Sequence, residues 1–282
     1  MALQAELDRP FTRTGSGTGF ASAVQPIVAQ TEIKTGDAGL VAGEVTVRVG
    51  NFKMPAYRAM PAGKGNLPVV LVVSEIFGVH EHIADVVRRF AQQGYLAIAP
   101  ELFERHGDAS SYSDMARLIA EVVSRAPDAQ VMADLDACVA WAGAQGGDVG
   151  RLAVTGFCWG GRITWLYAAH NRALKSGVAW YGKLVGPINA LQTTQPVDAA
   201  ARLAAPVLGL YGGQDASIPQ ESVEAMKAAL AAGNASAKQS RFVVYPDAPH
   251  AFHADYRPGY RKDAADDGWQ RCLAWFKAHG AA

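Results

Sequence analysis

RLAVTGFCWGGR, residues 151–162, is the stretch from which the rest of the chain can be read. An apolar run leads into Gly156-Phe157-Cys158-Trp159-Gly160, and a helix-compatible segment follows. The pattern G-x-C-x-G between a strand and a helix predicts a nucleophile elbow, with cysteine where serine is more usual. Such a turn strains its central residue and brings neighbouring backbone close, which favours flanking residues without a Cβ. It also holds the sulfur at the C-terminal edge of a sheet. There the N–H groups that open the next helix stabilise a thiolate and a developing oxyanion. The alternative is a buried structural cysteine in a glycine-rich turn.

Outward from the elbow, strands and helices alternate. Residues 43–49 and 53–60 read as an N-terminal antiparallel hairpin around Gly50-Asn51. Pro68 to Ser74 is continuously apolar and β-branched, as in a strand buried on both faces. A helix is predicted over 82–93, a strand over 95–100, and helices over 113–125 and 129–145. Strands then follow at 176–180, 206–211 and 241–245, with helices over 220–232 and 269–279 and a loop-rich stretch over 182–199. This alternation predicts an α/β fold, a mostly parallel central sheet with helices on both faces. Residues 1–42 read as an N-terminal arm and 43–282 as a single domain.

Composition narrows the function. The 282 residues carry 26 Lys plus Arg against 26 Asp plus Glu, without a basic stripe, which disfavours nucleic acid and anionic membranes as partners. Half the residues are hydrophobic, enough for a sizeable core. The longest apolar run, Leu67 to Val73, is too short to span a bilayer. The three cysteines, Cys138, Cys158 and Cys272, are widely spaced and suggest neither a disulfide framework nor a zinc-thiolate site. Residues 15–30 have the small-residue character of a twin-arginine export signal, with cleavage after Ala29. Where the arginine pair should stand, the chain reads Asp8-Arg9-Pro10-Phe11-Thr12-Arg13. The expectation is a cytoplasmic protein, with periplasmic export by a degenerate signal over 1–29 as the alternative.

An elbow nucleophile needs an acid and a histidine from later strand ends, in that order. Asp215 follows the strand over 206–211 and His250 follows the last strand. His250 would take the thiol proton and later activate water, while Asp215 would fix its tautomer and stabilise the imidazolium. His253 competes as base and Asp247 as acid. A His250-x-x-His253 metal pair lacks the helical, carboxylate-flanked setting of a zincin, so no metal is expected. Glu75, at the end of a buried strand, needs a partner or a proton, and a structural ion pair is its alternative role. A thiol nucleophile suits lactones, enol esters and thioesters better than simple alkyl esters.

From Gly43 to the C-terminus the chain resembles the dienelactone hydrolases (carboxymethylenebutenolidases) of the α/β-hydrolase superfamily. The motifs that carry the resemblance are VSEIFGV (73–79), APELF (99–103), GFCWGG (156–161), YGGQD (211–215) and APHAF (248–252). It implies Cys158, Asp215 and His250 as a triad, with Glu75 as partner of the resting thiol. It also implies an oxyanion hole from the backbone N–H groups of Ile76 and Trp159. Arg105 matches the family's arginine for a substrate carboxylate. The second such arginine is out of register, since Ala254 stands there with Arg257 nearby. Tyr181 joins Arg105 and Arg257 among the substrate-binding candidates. The expected activity is hydrolysis of a small-molecule lactone or enol ester, without a cofactor, by a monomer or small homo-oligomer. A thiol-based redox or regulatory protein, a general carboxylesterase or thioesterase, and a non-catalytic scaffold are the other readings.

Overall fold

A computed structural model describes residues 27–282. Residues 1–26, and with them nearly all of the expected export signal, lie outside the described residues. Strands β1 (Leu40–Val49), β2 (Phe52–Pro61) and β3 (Leu67–Val73) come first, followed by helix α1 (Glu81–Gln92) and β4 (Leu96–Pro100). Helices α2 (Met115–Glu121) and α3 (Asp128–Ala144) lead to β5 (Gly147–Phe157), the elbow helix α4 (Trp159–His170) and β6 (Ser176–Trp180). The chain closes with α5 (Pro196–Ala199), β7 (Val207–Gly212), α6 (Gln220–Ala231), α7 (Ala235–Gln239), β8 (Arg241–Tyr245) and α8 (Lys262–Ala278).

The strands form one eight-stranded sheet in the order β1-β2-β4-β3-β5-β6-β7-β8. β1 pairs antiparallel with β2, and β2 with β4, while the remaining pairs are parallel. This is the α/β-hydrolase arrangement that the alternation predicts, with the N-terminal hairpin on one edge. β3 is buried at every position, as a strand covered on both faces must be. β5, between β3 and β6, delivers the elbow near the middle of the sheet. Among the described residues, no helix is long and apolar enough to cross a membrane.

Three elements differ from expectation for local reasons. The helix expected over 113–125 ends at Glu121, because Val122 leaves helical geometry (φ −122°, ψ −65°) and a 3₁₀ turn, Val123–Arg125, follows. α8 begins at Lys262 rather than Trp269. Its first turns lack an apolar stripe, and they pack through Ala265 and Gly268 instead; a Cβ on Gly268 would stand 2.6 Å from the Trp180 ring. The loop-rich stretch over 182–199 ends in α5, whose capping box pairs Gln195 with Asp198.

Candidate active site

The elbow places Cys158 at φ 54° and ψ −113°, in the left-handed region that a residue with a Cβ occupies only under constraint. Backbone packing supplies the constraint. A Cβ on Gly156 would stand 2.1 Å from the Gly160 carbonyl oxygen, and one on Gly160 would stand 2.2 Å from the Val73 oxygen. A side chain on Gly160 would push the start of α4 off the end of β3, and one on Gly156 would push it off β5. Trp159 opens α4, so its N–H is among those without an acceptor inside the helix. Cys138 and Cys272 differ in setting: both are buried, and burial pushes their thiols up.

The loops after β7 and β8 bring an acid and a base together. His250 Nδ1 lies 2.6 Å from Asp215 Oδ2. The other carboxylate oxygen accepts from the Ser217 N–H at 2.9 Å and from its hydroxyl at 2.6 Å. Burial opposes ionisation of Asp215, but these hydrogen bonds, with His250 first among them, outweigh it and lower its pKa. Burial likewise opposes charge on the imidazole. Hydrogen bonds to Asp215 and to the Cys158 thiol overcome that, and the His250 pKa rises to about 10. The sequence candidates Cys158, His250 and Asp215 therefore converge.

Their competitors lie elsewhere. Asp247 is exposed. His253 is buried, its ring 4.6 Å from that of Trp180 and 5.0 Å from that of Phe157, and burial holds its pKa well below the ordinary value. It is a core histidine. Among the described residues, no group of three or more His, Cys, Asp or Glu side chains is arranged to hold a metal ion.

Glu75 follows the end of β3 and is buried. It accepts a hydrogen bond from the Tyr256 hydroxyl at 2.8 Å, and His80 Nε2 lies 3.8 Å from the same oxygen. Burial works against its charge; His80 and the Arg257 guanidinium prevail, and the carboxyl titrates at about 2. Tyr181 is another strained residue (φ 39°), fully buried, with its ring 5.2 Å from that of His250. Its hydroxyl has no hydrogen-bond partner among the described residues. Ala251, beside His250, also has positive φ (58°). Of the four non-glycine residues with positive φ among those described, three line this site, a clustering of strain typical of functional loops.

Arg105 makes two hydrogen bonds to Asp134 on α3, at 2.5 and 2.8 Å, and its guanidinium lies over the Phe52 ring at 3.9 Å. Its carboxylate partner therefore lies on a separate helix and not on its own loop. Arg257 lies over the Phe77 ring at 6.0 Å, and its charge acts on Glu75, Tyr181 and Tyr256. Ser217, Tyr256 and His80 escape the sequence reading. His80 stands just after the EIFG run, but nothing local shows that Tyr256 would meet Glu75 from a distant loop.

This sheet, with a strained cysteine after its central strand and an aspartate–histidine pair after later strands, defines an α/β-hydrolase. The dienelactone hydrolase family profile matches residues 54–280. A protein of Methylorubrum extorquens named "putative carboxymethylenebutenolidase" is 57% identical over 284 residues, covering 100% of this chain and 97% of its own. One of the same name from Escherichia coli is 57% identical, covering 95% and 97%. A crystal structure described as a putative dienelactone hydrolase from Klebsiella pneumoniae superposes with a TM-score of 0.82 at 59% identity, over 84% of this chain and 98% of that one. The chain belongs to the dienelactone hydrolase family, and it is a carboxylic ester hydrolase.

Proposed function

We propose that the protein opens a lactone or activated enol ester through a thioester on Cys158, with His250 and Asp215 completing the triad. The strained Cys158 in contact with a His250–Asp215 pair is the observation that carries this reading. Asp215 occupies Nδ1, which leaves Nε2 of His250 to receive the thiol proton. The thiolate attacks the acyl carbon and the carbonyl π pair moves to oxygen, where the Trp159 and Ile76 N–H groups stabilise it. Collapse breaks the acyl–oxygen bond, and the leaving oxygen takes the proton from His250. Water then attacks the thioester, gives a proton to His250 and expels the thiolate.

The relatives' names point to a carboxymethylenebutenolide, a lactone that carries a carboxylate. Arg257 is the cation whose charge reaches Glu75 and Tyr181, and we assign it the substrate carboxylate. Arg105 is engaged by Asp134. The Tyr181 hydroxyl supplies a buried donor for the substrate's acyl portion. Hydrolysis rates for a dienelactone, an aryl ester and an acyl thioester, each with its neutral methyl ester where it is an acid, test the assignment. The expected order puts the carboxylate-bearing lactone first. Equal rates on acid and methyl ester would remove the charged-substrate reading and leave a general esterase.

A further inference from the structure

The loop after Glu75 and the loop after His250 are stitched together by buried polar groups that the triad does not use. Tyr256 donates its hydroxyl to Glu75 at 2.8 Å. Its ring lies 5.2 Å from that of His80 and 5.2 Å from that of His82, so the two imidazoles brace the phenol. His82 Nδ1 meets Asp255 Oδ1 at 3.0 Å, and Arg89 Nη2 donates to Asp255 Oδ2 at 2.6 Å. Residue 255 is thereby tied to α1, and its neighbour Tyr256 is set in place. From the other side the Val28 N–H donates to the Tyr256 carbonyl at 2.7 Å, and the Thr31 hydroxyl to that of Asp255 at 2.5 Å.

We propose that Tyr256 and His80 are positioning residues that hold the Glu75 carboxylate as an anion beside the cysteine elbow. The place of Glu75 follows from backbone packing: a Cβ on Gly160 would stand 2.6 Å from the Ser74 carbonyl oxygen, so the residue after Ser74 flanks the start of α4. A carboxylate buried there without donors would take up a proton. The groups that act on Glu75 or share its surroundings are His80, His82, Arg257, Tyr256, Tyr181, His253, Asp255 and Cys158. Of these, Tyr256 makes the direct hydrogen bond and His80 is the imidazole 3.8 Å from the same oxygen. An ionised Glu75 accepts a hydrogen bond from the resting thiol until His250 takes its proton; a protonated one offers a competing donor instead. The clamp therefore keeps this acceptor available at neutral pH. The inference rests on the proposed Cys158 thioester only for that last step.

Infrared titration of the full-length protein reads the Glu75 carboxyl directly, its band identified as the one missing in Glu75→Gln. In the wild type the protonated band is expected to be absent at about pH 4, where an ordinary glutamic acid is more than half protonated. Tyr256→Phe should raise the titration by about one pH unit, the worth of one hydrogen bond to a charged group. The Tyr256→Phe/His80→Leu double variant should raise it by about two units or more, and the acid limb of kcat/KM should follow. His80→Gln, which keeps an N–H donor, should restore part of the shift. A wild-type Glu75 that titrates at or above the ordinary range overturns the proposal without any variant. A folded double variant in which the titration does not move also overturns it. Failure of the Cys158 thioester reading looks different: folded Cys158→Ala then turns over ester at the wild-type rate, whatever the infrared shows.

Discussion

Arg105 forms a two-pronged hydrogen-bonded ion pair with Asp134, at 2.5 and 2.8 Å, across the gap between the loop after β4 and α3. Asp134 is fully buried and the Arg105 side chain is 20% exposed. Removing the arginine alone strands a buried carboxylate. Arg105→Ala should therefore destabilise the protein, at or below the lower end of the ~3–5 kcal/mol typical of broken buried pairs. Arg105→Ala/Asp134→Ala should recover part of that loss in urea unfolding. The ratio of KM for an acid substrate to KM for its methyl ester should stay as in the wild type. A selective rise in KM for the acid would return Arg105 to the substrate site.

His250 links the site to the pH dependence of stability. Its pKa in the folded protein is raised from 6.5 to about 10. The corresponding stabilisation is complete below 6.5 and is lost as pH climbs through about 10. Thermal unfolding midpoints should fall across that window. Asp215→Asn removes the principal hydrogen bond that raises this pKa, and should flatten the fall. A slope equally steep in Asp215→Asn would place its origin elsewhere.

Backbone proximity at the elbow makes a sharp prediction for glycine. At Gly160 an added methyl would meet the Val73 oxygen at 2.2 Å, whereas at exposed Gly65 it would meet nothing within 4 Å. Gly160→Ala should cost at least about 3 kcal/mol, the upper end for overpacking, because backbone rather than a flexible side chain must yield. Gly65→Ala should stay within about 0.5 kcal/mol of wild type. Chemical denaturation of both variants decides. A stable Gly160→Ala protein would show that the elbow is looser than this packing requires.

The triad residues should act as a unit. Asp215→Asn and His250→Gln are each expected to lower kcat strongly, and the double variant to lose little more than the worse single one. Multiplicative losses would mean that the two side chains contribute separately and do not form a triad.

Much of this architecture is legible in the chain because its signals are local. Each proposed triad member follows a strand, so strand ends alone bring Cys158, Asp215 and His250 to one edge of the sheet. The glycines of GFCWGG announce a close approach that the structure finds at Gly156 and Gly160. Other features are not local. Nothing near Arg105 points to Asp134 on a later helix, and nothing near Glu75 points to Tyr256, which reaches it across 181 residues of sequence. The early start of α8 was hidden because its first turns use alanine and glycine as packing surface, where an amphipathic pattern needs larger side chains.

A Cys158 thioester requires the acyl group to pass through the cysteine sulfur. Rapid acid quench during turnover of a slowly hydrolysed lactone, followed by peptide mass measurement, would trap that intermediate. The expected result is a mass gain equal to the substrate on the peptide that contains Cys158, with no adduct and no turnover in folded Cys158→Ala. Undiminished hydrolysis by that variant, or an adduct on another residue, would contradict it.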